Sequence, residues 1–164
     1  MVLTSSRSSL SAIGLGGLIA GVADLAGAYA IYRPTRPLGP LHSIASGALG
    51  SSAFQGGVST AAFGLLAHFV VALGAAAVFV IARRHLSILR GSPSVIGPIY
   101  GVLVWVVMNY GVIPMSAIGR FPASFTTSTT LVILLHMVGV GFPIAWVAGR
   151  SDRPARGSTS AGSS

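Results

Sequence analysis

The chain contains no cysteine, no lysine and no glutamate. The first absence removes disulfides, thiolate metal ligands and cysteine nucleophiles from consideration. Acidic side chains are almost missing as well: Asp24 and Asp152 stand against ten arginines, for a formal charge of +8. Only 7% of the 164 residues are charged, 52% are hydrophobic and the mean hydropathy is +0.82, which lies outside the range of soluble domains and inside that of multi-span membrane proteins. In a soluble protein the basic excess would point to nucleic acid. Here the arginines lie in turns and tails between apolar runs, so no nucleic acid is expected and anionic lipid headgroups are the expected partners, met by Arg83, Arg84, Arg90 and the tail. HExxH, a nucleophile elbow and a Gly-rich phosphate loop are all lacking. No catalytic residue, enzymatic activity or cofactor is therefore expected, and "GLGG" (Gly14–Gly17) is a packing stretch.

What is present is apolar length. A span needs about 20 apolar residues to cross a hydrocarbon layer ~30 Å thick, and four windows qualify: Leu10–Tyr32, Thr60–Ala82, Val95–Ile118 and Phe125–Ala148. The fold class expected is all-α and polytopic: a four-helix transmembrane domain over 10–148, between a polar N-terminus (1–9) and a Ser-rich, basic tail (149–164) of disordered composition. Arg7, Arg83, Arg84, Arg90, Arg150, Arg153 and Arg156 fall on one side of such a bundle and only Arg33, Arg36 and Arg120 on the other. By the positive-inside rule both termini are cytoplasmic. Arg7, an apolar run and "AYA" (Ala28–Ala30) also match a cleaved signal peptide. Between spans one and two, Leu41, Ile44, Ala45, Ala48 and Leu49 fall on one helical face and His42, Ser43 and Ser46 on the other, the pattern of an interfacial helix; "SSAFQGG" after it reads as a re-entrant turn.

Small residues recur at helical spacing in every span, Gly17, Gly21 and Ala28 beside Asp24 in the first, so that close helix packing is expected and Asp24 points into an interface. Pro114 and Pro143 lie inside apolar runs and should bend or open their helices. Each span carries one strongly polar side chain: Asp24, His68, Asn109 and His136. They stand eight to eleven residues from the outer span ends, hence in one layer roughly 12–16 Å deep. Three roles compete for this layer. It is polar glue fixing helix register, a proton or substrate relay, or a divalent metal site of His68, His136 and Asp24. Gln55 and His42 form a possible secondary polar site. "LLAHFVVALG" and "ILLHMVGVGFP" echo one another, as two related hairpins would.

The stretches "GLIAGVADLAGA", "SIASGALGSSAFQGGVSTAAFGLLAHFVVALGAAAVFVIA", "YGVLVWVVMNYGVIPMSAIGR" and "LLHMVGVGFPIAW", covering Gly14 to Ala148, together resemble a family of small, functionally uncharacterised bacterial inner-membrane proteins with four spans. The resemblance implies location and span count and assigns no reaction. The function expected is a small transporter- or channel-like protein using the intramembrane polar layer. The alternative is a non-catalytic accessory subunit of a membrane complex, or a homo-oligomer, docking through its glycine faces.

Overall fold

The computed structural model describes residues 2–121 and 125–151, with side chains from Ser8 onward. The tail beyond Ser151, with Asp152, Arg153 and Arg156, lies outside the described residues, as does the Arg7 side chain. Among the described residues every element is helical: α1 (Val2–Tyr32), α2 (Gly39–Leu49) and α3 (Gly57–His85), then α4 (Pro93–Met115) and α5 (Thr127–Ser151). Four of these, all but α2, are long and apolar enough to cross a membrane. The chain is thus an all-α, polytopic membrane protein. The Ser-rich start, placed before the first span on composition, is part of α1, and α5 runs past the expected end at Ala148 to Ser151.

Local chemistry sets the element ends. α1 stops where Arg33 adopts a left-handed φ of 42° and donates its N–H to the Tyr29 carbonyl at 3.0 Å. Pro34 follows, and a proline disfavours helical backbone in the residue before it. Pro40 and Pro93 sit in the first turns of α2 and α4, where the missing N–H costs nothing. Thr126 and Thr129 close a reciprocal capping box at the start of α5.

The predicted prolines act as expected. α4 widens into a π-helical turn over Met108–Val112 and α5 over His136–Gly141, each ending two residues before its proline. The ring displaces the carbonyl four residues back, and a wider turn absorbs the displacement. α3 has no internal proline and stays α-helical throughout. The echo between the two histidine stretches is therefore one of sequence and not of local structure.

α1 is the central element, packed along α3 on one side and α5 on the other, while α4 packs along α5. Small residues make these approaches possible. A Cβ on Gly17 would meet the Leu73 backbone, one on Gly97 the Phe142 backbone, one on Gly101 the His136 carbonyl and one on Gly141 the Gly97 carbonyl. Tyr100 ties α4 to α3 by donating its hydroxyl to the Ala75 carbonyl at 2.7 Å and packing its ring at a tilt against Phe79. The core lies at the arginine-rich end, around Ala12, Ala76, Phe79, Tyr100, Ile144 and Val147. Toward the opposite end no residue of α1 beyond Gly21, of α4 beyond Trp105 or of α5 before Gly139 is buried.

α2 forms where the interfacial helix is expected, but its inward face differs. Ala45 and Ser46 are its buried residues, and Leu49 is exposed. The helix lies so close on α3 that a Cβ on Gly64 would meet the Leu41 carbonyl, and only small side chains fit there. Ser46 enters because its hydroxyl donates to the Ser43 carbonyl at 2.7 Å and needs no outside partner. The expected re-entrant stretch is a short 3₁₀ turn, Gly50–Phe54, held by the Thr60 hydroxyl donating to the Ala53 carbonyl at 2.7 Å.

Candidate functional site

Two of the four polar side chains meet. His136, the first residue of the π turn in α5, brings Nδ1 to 3.6 Å from Oδ1 of Asp24 on α1. That separation is too long for a hydrogen bond. Nδ1–H is directed instead at the Val132 carbonyl of its own helix, 2.9 Å away, which leaves Nε2 as the exchangeable position of a neutral ring. Among the described residues no donor stands within hydrogen-bond distance of the Asp24 carboxylate. The side chains are 22% and 14% exposed, so the pair is partly open at the point where the packed core ends.

The small neighbours explain why the pair can form. Ala23 and Gly139 are in contact where α1 crosses α5, and Gly27 packs against Leu135. A larger residue at Gly139 would press toward Ala23, and one at Gly27 would have to displace the Leu135 side-chain tip.

His68 reaches the same part of α1 but takes a different partner. Its Nε2–H donates to the Gly21 carbonyl at 2.9 Å, one turn along α1 from Asp24, and its ring stands edge-on to Phe69. This is a register contact between α3 and α1. Asn109 leaves the layer. Its Nδ2–H donates to the Trp105 carbonyl of its own helix at 2.9 Å. Gly101, two turns earlier in α4, is the residue that meets the His136 backbone, so Asn109 stands about 12 Å outward of it. Counting inward from span ends put the two level; α4 ends at Met115 and α5 starts at Thr127, and the helix ends are staggered.

Among the described residues no group of three His, Cys, Asp or Glu side chains is gathered to hold an ion, so the metal alternative for His68, His136 and Asp24 finds no support there. The secondary pair also separates by role. His42 Nε2 bonds the Gly57 carbonyl at 2.8 Å and pins α2 to the start of α3, whereas Gln55 is exposed in the turn between them.

Sequence reasoning expected Pro114 and Pro143 to bend or open their helices without specifying π turns, which end two residues before each proline. No family model, curated protein or solved structure matches the chain.

Proposed function

We propose that the chain is a small, non-enzymatic transporter-like protein of the bacterial cytoplasmic membrane, with Asp24 and His136 as its proton-binding point and both termini in the cytoplasm. The observation that carries this reading is a carboxylate inside a membrane span that, among the described residues, has no hydrogen-bond donor and one imidazole at 3.6 Å. Such a group is costly in lipid and typically marks a proton or ion pathway. Glue would take a shorter bond, as His68 does with Gly21. On the side of Arg33, Arg36 and Arg120 the helices α1 and α5 bury no residue beyond the pair, whereas the core around Phe79, Tyr100 and Ile144 closes the other side. That asymmetry suits a site loaded from outside. The accessory-subunit alternative has less support, because Gly17, Gly97, Gly101 and Gly141, the faces it would use for docking, are filled by the chain's own helices.

The test is proton uptake by liposomes holding the purified chain under an imposed potential, followed with an internal pH dye. Wild type should exceed empty vesicles, and Asp24→Asn and His136→Gln should each abolish the excess. His68→Ala, a register contact, should retain much of it. Flux no greater than in empty vesicles, or undiminished in Asp24→Asn, overturns the proposal.

A further inference from the structure

At the arginine-rich end α3 runs into Arg83, Arg84 and His85 and the chain doubles back through a 3₁₀ turn, Ser87–Arg90. Arg83 is 9% exposed and donates through Nη1 to the Leu89 carbonyl at 2.6 Å, which fixes the turn. Arg90 folds back over it, Nε to the Arg83 carbonyl at 3.2 Å and Nη2 to the Arg84 carbonyl at 3.0 Å. Arg84 donates to the Ser9 hydroxyl of α1, and Arg150 of α5 lies over Trp146 with its guanidinium carbon 3.6 Å from the ring centre. Four guanidinium groups are thereby gathered on rigid elements, and the one acidic side chain among the described residues, Asp24, is in the middle of α1.

Two adjoining hollows open between these groups, of about 240 and 410 Å³. Arg83 and Arg90 line both. The first adds Arg84, Ser9 and Ser151 over a floor that includes Ala12 and Val80; the second adds Arg150, Ser92 and Trp146. Each hollow thus has its own arginine and a share of two others. A guanidinium offers five N–H donors in a planar fork that suits phosphate, and the bonds that Arg84 and Arg90 make to Ser9, Arg83 and Arg84 use a minority of theirs. Exposed Leu10, Ile81 and Ile99 beside this end are placed to meet acyl chains.

From this arrangement we infer that the paired hollows bind a phospholipid with two phosphodiesters, a diphosphatidylglycerol, one phosphate in each. Basic pockets between helices at the cytoplasmic face commonly take such headgroups. A single-phosphate lipid would fill half of the site. The inference is independent of the Asp24–His136 pair.

The experiment is native mass spectrometry of the delipidated full chain in detergent, titrated with cardiolipin and, at equal phosphate, with phosphatidylglycerol. Wild type should retain cardiolipin about tenfold more strongly, the size of one charge-assisted contact. Arg84→Gln combined with Arg150→Gln should bring the two lipids to parity, while Asp24→Asn should leave the preference intact whatever it does to flux. Parity in wild type, or an unchanged preference in the double variant, overturns the assignment. If the double variant does not fold, the wild-type comparison alone decides. Displacement of cardiolipin by soluble pyrophosphate at equal concentration would identify a water-soluble phosphate compound as the occupant and overturn the lipid assignment.

Discussion

Asp24 and His68 are both polar groups inside spans, yet their partners give substitutions at them opposite consequences. The Asp24 carboxylate accepts no hydrogen bond among the described residues and faces His136 at 3.6 Å. Asparagine there keeps the shape, carries no ionisable group into lipid, and loses no short contact. Asp24→Asn should therefore leave the unfolding midpoint in detergent unchanged or raise it, as replacement of a residue kept for function often does. A loss of ~3–5 kcal/mol would instead mean that a tight buried ion pair had been broken on one side. His68 donates a 2.9 Å bond to the Gly21 carbonyl across the α1–α3 contact. Hydrogen bonds between membrane helices average about 0.6 kcal/mol and reach ~1.7. His68→Ala loses that bond together with the ring's packing on Phe69, and should cost about 1–2 kcal/mol. Reversible unfolding of the two variants in mixed detergent gives both values side by side.

The helices are held by backbone approach, and this decides which glycines tolerate a methyl group. At Gly101 an added Cβ would run into the His136 carbonyl, and backbone cannot swing away as a side-chain tip can; at Gly74 it would meet nothing within 4 Å. Gly101→Ala should destabilise by about 1–3 kcal/mol or more. Gly74→Ala, in the middle of α3, should be neutral or stabilising by up to ~1 kcal/mol. Equal effects, measured by unfolding, would refute the packing of α4 on α5. Much of this was legible in the sequence. Small residues at helical spacing announced tight faces, and Pro114 and Pro143 announced opened turns. The depth of Asn109 was not legible, because a residue count from a span end carries no information on how helices are staggered, and the stagger is set by contacts such as Gly101 on His136. Nor was the inward face of α2, where crowding against Gly64 admits Ser46 and leaves Leu49 outside.

Across the whole molecule, packing and charge run in the same direction. Arg83, Arg84, Arg90 and Arg150 surround the end where the core is dense, and Arg33, Arg36 and Arg120 flank the end where α1, α4 and α5 bury no residue beyond Gly21, Trp105 and Gly139 and only α3, under α2, keeps Ala61 and Gly64 buried. Four spans and their polar residues could be read from hydropathy, but where the core closes could not, since apolar side chains facing lipid and facing protein look alike in sequence. At ~1.5 Å per residue the 29 residues of α3 reach about 43 Å, more than the ~30 Å of hydrocarbon. Its two ends must then emerge on opposite sides, with Gln55 just before the first and Ser87 just after the second. Both residues are exposed, and the chain has no cysteine to interfere. Single substitutions Gln55→Cys and Ser87→Cys, probed in intact cells with a maleimide that does not cross membranes, read the orientation directly. The arginine excess predicts labelling of Gln55→Cys in whole cells and of Ser87→Cys only after the membrane is opened. The reverse pattern would place the loosely packed half in the cytoplasm, and the Asp24–His136 pair would then be loaded from inside.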